Sequence, residues 1–432
     1  MMLLRLRISL LIVGLWSTTG VGAVKADSSL WGLLERDERV ISAVYDSEIA
    51  LSEVGIAQSS NGLKASVSTT GSAWRYDSSD APIGRGDVGS DTYLDGVVNL
   101  SVPVLDFGRS DNRVAAAEAR HLSSRVKIEM AVAGVLYDLA KTYAEYTYYQ
   151  YRSARLKQKK EGLEPLVALQ QERYKSGVVS LVAVQELYLY LVKLEAQIDA
   201  AKEQADGTLS QLLRRFNLTD NHLTTLETIR VKLSDGSIDD KSATLYLSQR
   251  EFAAEREALH YERSSLEAEF LPEVKLSGST RFYDVDQGSL DSFSAQIGVV
   301  VTFDLFDSGG RSSRLDGVAA RINALESSYR AREKQTEQRL LATLSEAKEA
   351  EVQLEALKIR SDEFEKRLEQ QRVKRDLSST NVDEQLDLLT TQYDLVLASA
   401  EAEQKKLMAR LEYLNETQTL LKYAGFPGFA KE

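Results

Sequence analysis

The sequence predicts a mixed architecture in which membrane β-strands are joined to very long α-helices. Three observations support this prediction: strands of strictly alternating polarity, an internal repeat, and helical patterns of about 60 residues. The stretch SFSAQIGVVVTFDLFDSGGR, residues 292–311, shows the alternation. Apolar residues from Phe293 to Leu305 lie on one face of this strand, and polar residues such as Ser294 and Gln296 lie on the other.

The repeat has a period of about two hundred residues. Thr92–Arg120 aligns with Phe293–Arg321 at an offset of 201 (92 to 293), and we read one glycine of the second copy as an insertion before its arginine. In both copies a strand leads directly into a long helix. We expect the strand-to-helix joints to be formed by Pro103, Asp106, Gly108, Arg109, Asp307, Gly309, Gly310 and Arg311.

Each repeat is predicted to contain a β-hairpin, a long helix, a turn and a returning helix. The first repeat covers residues 27–236, with strands at about 63–76 and 92–105 and helices at about 109–175 and 180–216. The second covers residues 237–432, with strands at about 274–283 and 292–305 and helices at about 311–376 and 381–424. Residues 217–240 are expected to form a short mixed segment outside the returning helices.

Residues 1–26 have the pattern of a signal peptide. Arg5 and Arg7 precede an apolar run, and small residues lead to Ala26, so we expect cleavage before Asp27. An uncleaved membrane anchor is the alternative, but the apolar run is shorter than the ~20 residues that a spanning helix needs. The chain is therefore expected to be exported.

Composition narrows the classes of function. The 65 acidic and 53 basic residues give a formal charge of −12, which would repel a nucleic acid. The chain has no cysteine, so disulfides and thiol catalysis are excluded. His121, His222 and His260 lack metal-ligand spacing, and no nucleophile motif or phosphate loop is present. We expect no enzyme activity, no metal and no cofactor.

Strands of about ten residues with one apolar and one polar face fit a transmembrane barrel, whose two faces meet lipid and water. A soluble sandwich would show the same alternation. Four strands cannot close a barrel in lipid, however, because about eight is the minimum. Two chains would make a barrel filled by side chains, whereas three would make twelve strands with room for water. The pattern therefore favours a trimeric conduit.

At this point the sequence resembles the TolC-like outer-membrane factor family. The resemblance rests on Leu271-Pro272 before the second hairpin, on the joints VPVLDFGRS and TFDLFDSGGRS, and on the helical turn RYKSGVVSLVAVQ. It covers essentially the whole chain after the signal peptide. Asn61-Gly62-Leu63 departs from the usual Leu-Pro of the first repeat, and Leu377-Ser378 departs from the usual glycine of the second turn.

The resemblance implies a homotrimer with a twelve-stranded barrel in the outer membrane, continued by an α-helical tunnel across the periplasm. It also implies an inner-membrane pump of the ABC or RND type and a periplasmic adaptor, or membrane fusion protein. Such a channel gives exported cargo a passive exit, as in type I protein secretion or multidrug efflux. The adaptor-facing tip would comprise Gly177, Val178, Val179 and Ser180.

Two further sets of residues carry open alternatives. By resemblance, Glu384 and Asp387 would ring the periplasmic aperture, although acidic residues near a helix N-terminus also simply complement its dipole. Arg109 and Arg311 would bind anionic headgroups or form salt bridges within the trimer. For the whole chain, the alternative function is a soluble periplasmic coiled-coil scaffold or adaptor.

Overall fold

The computed structural model of the protein describes residues 32–77, 88–216, 218, 220–235, 246–283, 293–375 and 382–424. The predicted signal peptide, both strand-connecting loops and the second helical turn lie outside these residues. Within the described part, none of the helices combines the length and the apolar character that a membrane crossing requires.

The elements follow each other in two similar series. The first comprises α1 (Glu38–Ser59), β1 (Lys64–Asp77), β2 (Val88–Leu105), α2 (Arg109–Lys175), α3 (Leu181–Phe216) and α4 (Asp220–Asp235). The second comprises α5 (Tyr246–Ala268), β3 (Glu273–Phe282), β4 (Phe293–Thr302), α6 (Gly310–Arg375), α7 (Val382–Glu416) and the short α8 (Leu420–Ala424). The described part of the protein is thus mostly helical, with one small antiparallel sheet.

Three helices depart from the sequence expectations. The expected short mixed segment at 217–240 is wrong, because residues 220–235 form the continuous helix α4, which buries Leu226, Ile229 and Leu233. The helices α1 and α5, which precede the two hairpins, are not among the predicted elements. The carboxylate of Asp37 caps α1 by accepting from the Arg39 N–H at 3.0 Å. Apart from Leu247, the buried residues of α5 are alanine and serine, so its apolar periodicity is weak.

The helix α2 is the centre of the helical layer. Helices α1 and α5 pack along its first half, and α3 and α7 pack along its second half. The helix α6 continues the layer by packing on α5 and α7. Each half of the molecule is therefore four helices wide, and α6 forms one edge of the layer in both halves.

Two end-to-end contacts join the halves. Arg39 near the start of α1 and Arg215 near the end of α3 both donate to the Asp138 carboxylate at 2.8 Å. Beyond the end of α7, the Gln418 side chain accepts from the Ser248 N–H of α5 at 2.7 Å. Helices α3 and α1 therefore lie end to end in the layer, and so do helices α7 and α5. The largest apolar cluster lies at this level and contains Leu136, Leu139, Leu411 and residues of α4 and α8.

A row of carboxylates on α5 holds α2 and α6 at matching heights. Glu269 accepts from Arg113 of α2 at 3.1 Å and lies 2.9 Å from Arg314 of α6. Seven residues earlier, Glu262 pairs with Arg120 of α2 and Arg321 of α6. These arginines are related by the repeat, since 113 and 120 differ from 314 and 321 by 201. One shared helix therefore sets the register of both long helices.

The four strands form a single sheet in the order β1-β2-β3-β4, and all neighbours are antiparallel. The two hairpins are joined by β2 and β3, in which Gly96 faces Phe282 and Val102 faces Leu276. A register shift between Pro103 and Leu105 ends this pairing just before α2 begins. The sheet continues the helical layer at the end where α2 and α6 start.

An ion pair between a buried lysine and an exposed aspartate connects α2 to α7 in the half away from the sheet. The Lys159 side chain is 4% exposed and donates to Asp394 at 2.7 Å, and its ammonium lies 5.4 Å from the centre of the Tyr190 ring. Burial alone would lower the pKa of Lys159, but the bonds to Asp394 and Tyr190 outweigh it and raise the pKa. Asp394 itself is 64% exposed. Lys159 therefore needs Asp394 to balance its buried charge, whereas the exposed Asp394 can be solvated by water without Lys159.

Removing Asp394 should destabilise the protein more than removing Lys159. Asp394→Ala leaves a buried ammonium without its carboxylate, at a cost of about 3 kcal/mol. Lys159→Met leaves a carboxylate that water can solvate, at a cost of about 1 kcal/mol. Heat unfolding followed by helical circular dichroism should show the larger fall in midpoint for Asp394→Ala. Equal effects, or the reverse order, would contradict this account of the pair.

Candidate functional site

One face of the sheet is apolar and the other is polar. Because strand pairing aligns residues of like polarity, each face continues across all four strands. One row of neighbours on the apolar face contains Val67, Val98, Thr280 and Ala295, and the next contains Ala65, Leu100, Gly278 and Ile297. The row between them points to the opposite face and contains Ser66, Asn99, Ser279 and Gln296. The alternation seen in single strands thus becomes two continuous surfaces of opposite character.

The apolar face has no protein cover among the described residues. Ile297 is 80% exposed and Val67 is 76% exposed, and every residue of β4 is exposed. Full burial of one such side chain is worth roughly 1.5–3 kcal/mol. A contiguous apolar surface of this kind marks a membrane or protein interaction site.

Both outer strands leave an edge open. Within the described sheet, β1 pairs only with β2, and β4 pairs only with β3. Open edges present unpaired N–H and C=O groups, which are tolerated in water but not in a lipid environment. Four strands are also too few to close a barrel. Both edges of the described sheet are therefore available for pairing with a further strand.

The two strand-to-helix joints share one geometry. In the first, Asp106 accepts backbone N–H groups from Gly108 at 3.1 Å and Ser110 at 2.9 Å. In the second, Asp307 accepts from Gly309 at 3.2 Å and Arg311 at 2.7 Å. Gly108 and Gly309 have φ of +79° and +85°, and the residues before them also have positive φ. Each aspartate thus supplies hydrogen-bond acceptors for N–H groups at the start of a long helix.

The joints correct the sequence alignment at one point. Gly310 is not an insertion, because it begins α6 just as Arg109 begins α2 at the same offset of 201. Its φ is not positive, so only Gly309 provides the left-handed conformation of that bend. Arg311 is therefore the structural counterpart of Ser110 rather than of Arg109. Both motifs contain an arginine, and a sequence alignment that pairs Arg109 with Arg311 on that basis is wrong.

The two arginines make contacts within their own chain. Arg311 is buried, donates to the carbonyls of Asp304 and Glu269 at 2.7 and 2.9 Å, and lies over the Phe270 ring. Arg109 donates to Glu269 at 3.1 Å. Burial tends to raise the pKa of Asp106, but hydrogen bonds from Ser110 and Gly108 lower it overall. The joints are therefore networks of charged groups, in which the buried Nε of Arg109 is left without a hydrogen-bond partner among the described residues.

The first helical turn is closed by backbone hydrogen bonds and is exposed. Gly177 has φ +73°, and the N–H groups of Gly177 and Val178 donate to the last carbonyls of α2 at 2.9 Å. Ser180 accepts from the Ala183 N–H at 3.3 Å and so caps α3. Val178 and Val182 are both largely exposed. The turn consequently presents apolar side chains at the tip of the α2–α3 hairpin.

The acidic pair predicted for the aperture lies in the first turns of α7. Glu384 and Asp387 are both exposed. Leu386 and Leu389 point instead into the second apolar cluster, which is built around Leu163. The two carboxylates therefore lie on the side of α7 that faces away from this core. The second turn itself, with Leu377-Ser378, is outside the described residues.

The shared carboxylates of α5 are the main feature that the sequence argument misses. Glu255, Glu262 and Glu269 recur every seven residues, and so do Arg113, Arg120 and Lys127 of α2. Matching heptads of opposite charge are a readable signal for neighbouring helices. The sequence argument does not predict α5, so it contains no helix with which the basic heptad of α2 could be paired.

Comparison with known proteins agrees with this architecture. Residues 33–214 match the family described as outer membrane efflux protein. No curated protein matches the chain by sequence. The family description names the outer membrane, and the predicted location agrees with it.

Several solved structures share the fold over nearly the full length of both chains. A membrane protein from Pseudomonas aeruginosa is 17% identical with a TM-score of 0.72, and covers 90% of each chain. The Campylobacter jejuni CmeC outer membrane channel is 16% identical with a TM-score of 0.71, covering 97% of this chain and 92% of that one. The outer membrane protein VceC from Vibrio cholerae is 14% identical with a TM-score of 0.71, covering 90% and 96%.

The family match falls on the first repeat, whereas the structural match extends through both repeats and the sheet. Residues 33–214 therefore resemble the outer membrane efflux protein family in sequence, and about nine-tenths of the chain shares the fold of the solved structures named above.

Proposed function

We propose that three copies of the chain form an outer-membrane channel that gives exported cargo a passive exit from the periplasm. The observation that carries the proposal is the four-stranded sheet with an uncovered apolar face, a polar face and two open edges. Lipid covers the apolar face, water fills the polar side, and neighbouring copies complete the edges.

The number of copies follows from the interior space of the barrel that each assembly would form. Two copies would give eight strands, whose interior is filled by side chains, whereas three give twelve strands with space for water. The long helices of each copy extend from the sheet, and α2 with 67 residues spans about 100 Å. Three helical layers then enclose a tunnel that continues the barrel into the periplasm.

The tip of the α2–α3 hairpin is the proposed contact for a periplasmic adaptor. Gly177, Val178, Val179 and Ser180 form the turn, and the exposed Val178 and Val182 supply an apolar anchor. An inner-membrane pump of the ABC or RND type delivers cargo through that adaptor. Multidrug efflux and type I protein secretion use the same conduit, so the pump and adaptor set the cargo.

Glu384 and Asp387 are the proposed aperture residues. Both lie on the exposed side of α7, close to the second helical turn. Three copies would place six carboxylates around the entrance, and a carboxylate ring attracts cations. The channel itself performs no chemistry.

Cell fractionation tests the proposal as a whole. The full chain, expressed with its own signal sequence, should appear in the outer-membrane fraction, and mild detergent should release a particle of three protomer masses. Light scattering or native mass spectrometry gives that mass. A soluble monomer or dimer in the periplasm would instead support the scaffold alternative and overturn the channel.

Two adjacent residues test which face of the sheet meets lipid. Ile297→Lys places a charge on the apolar face, at a cost of up to about 2–4 kcal/mol in the bilayer. Gln296→Lys places the same charge on the polar face and should be tolerated. The yield of outer-membrane trimer should fall sharply for the first variant only. Equal yields would contradict the assignment of the faces.

Neutralising the aperture carboxylates should change ion flow. Glu384→Ala combined with Asp387→Ala should raise single-channel conductance in planar bilayers or weaken block by multivalent cations, because the ring is lost. Asp199→Ala combined with Glu203→Ala on α3 is the control, since it removes the same charge from exposed sites far from the start of α7. Unchanged behaviour, or the same change in the control, refutes the ring.

A further inference from the structure

The ion pairs between α5 and its neighbours α2 and α6 form a ladder with three rungs. The first rung joins Glu269 to three arginines, and the second joins Glu262 to two. The third joins Glu251 and Glu255 to one lysine and one arginine. The basic residues of the ladder are Arg109, Arg113, Arg120, Lys127, Arg314, Arg321 and Arg332. They outnumber the glutamates, so the ladder carries a local excess of positive charge in a chain whose formal charge is −12.

The basic groups form most of the accessible surface of this ladder. Their side chains are 30–55% exposed, whereas the side chains of the four glutamates are 7–32% exposed. A guanidinium carries five N–H donors, and a carboxylate shared by two or three arginines cannot accept from all of them. The exposed donors can therefore bind a further anion by charge-assisted hydrogen bonds.

The first rung of the ladder meets the polar face of the sheet. Arg109 lies 4.0 Å from the Glu273 carboxylate of β3, and the same carboxylate pairs with Lys275 at 2.9 Å. Glu273 and Lys275 alternate with Val274 and Leu276 of the apolar face, so they belong to the polar face. The ladder therefore begins where the polar face of the sheet ends.

The other rungs open on the same side of the helical layer. Glu255, Glu262 and Glu269 recur every seven residues, which keeps them on one side of α5. That side lies between α2 and α6, because the rungs reach both helices. In the described segments, the acidic residues of α1 pair with none of the basic groups of the ladder. The three rungs thus extend the polar side of the sheet along the layer.

The polar face of the sheet continues the basic surface. Lys64 and Arg281 lie two residues from Ser66 and Ser279 of the polar row, so both belong to that face. Both are exposed, and neither takes part in an ion pair within the described segments. Asp95 lies on the same face and offsets one of these charges. Positive charge is therefore in excess on this face as well, among the side chains that the structure describes.

We infer that the ladder and the basic residues of the polar face bind acidic side chains of an extended polypeptide as it leaves through the channel. This inference rests on the channel proposed above, in which the polar face meets the water-filled path. It names the class of cargo for that path, which is an unfolded polypeptide rich in aspartate and glutamate. Three copies would present the ladder three times around the path.

The spacing of the rungs fits such a chain. Seven helical residues separate successive rungs, which is a rise of about 10 Å. An extended polypeptide advances about 3.4 Å per residue, so an acidic residue at every third position meets successive rungs. Each contact lies at a water-exposed arginine and is weak by itself. Several weak sites in series let a chain bind and still move on, as ions do in a multi-site pore.

Block of single channels in planar bilayers by peptides tests this inference. The probe is an 18-residue peptide (Glu-Ser-Gly)6, which carries one carboxylate at every third residue. It should reduce the current through the wild-type trimer at a concentration far below that of free glutamate with the same total carboxylate, because several contacts act together. The peptide (Lys-Ser-Gly)6 serves as a probe of equal length and opposite charge.

Removing one rung should weaken block by the glutamate peptide. Arg120→Gln combined with Arg321→Gln removes six charges from the trimer and should raise the blocking concentration about tenfold or more. Arg125→Gln combined with Arg330→Gln is the matched control on the same two helices. These exposed arginines lie five and nine residues further along, on sides of the helices turned away by about 140° and 180°. The control should keep the wild-type blocking concentration.

A second variant leaves the register of the helices untouched. Lys64→Gln removes a basic group of the polar face that has no ion pair in the described segments. It should raise the blocking concentration of the glutamate peptide about threefold, with unchanged trimer yield and unchanged conductance in potassium chloride. This variant decides the case if loss of the second rung prevents assembly.

The outcomes separate the ladder from the channel itself. A wild-type trimer that conducts but is blocked no better by the glutamate peptide than by free glutamate overturns the ladder, while the proposed function stands. The ladder is also overturned if the control pair loses block as the test pair does, if Lys64→Gln changes nothing, or if the test pair loses block by both peptides equally. If the wild-type protein forms no outer-membrane trimer, the proposed function fails and the ladder fails with it.

Discussion

The sharing of carboxylates on α5 is the constraint on which the rest of the structure depends. Glu262 and Glu269 each accept repeat-related arginines from α2 and α6, so the starts of both long helices lie at one height. Ion pairs with largely exposed arginines, such as those of Arg120 and Arg321 with Glu262, add little stability individually. Their effect is to fix the register of α2 and α6 along α5. Contacts with the small alanine and serine side chains of α5 would define that register less well. With the helix starts level, both hairpins reach the same plane and β2 can pair with β3.

The sheet and the helical layer share one property, because each exposes apolar side chains and has outer edges without a neighbour among the described residues. The sheet exposes an apolar face and two open edges, and the layer exposes the apolar side chains of Tyr45, Ile49 and Ile56 on α1. An isolated protein of this size would normally bury such surfaces. The proposed threefold assembly would complete sheet and layer together, since the edges that lack neighbours in each lie on the same two sides of the chain.

The repeats are alike in backbone and different in chemistry. Both joints use an aspartate followed by two residues of positive φ, yet the buried arginine of the second joint has a serine, Ser110, as its counterpart in the first. The end-to-end contacts differ as well, because Asp138 binds two arginines in one and Gln418 binds Ser248 in the other. The chain thus preserves the geometry of each bend while the side chains around it vary.

The sequence by itself determined the repeat, the alternating strands, the long helices and the family resemblance, because each is a periodic or local pattern. The period-2 alternation of β4 and the Gly177 turn are readable without any knowledge of neighbours. The tertiary structure alone decided the features that depend on partners distant in sequence. Helix α5 is recognisable only once α2 packs on its small residues and its glutamates meet arginines more than 40 residues away. The place of Gly310 was likewise decided in three dimensions, since backbone conformation and not residue letters aligns the two joints.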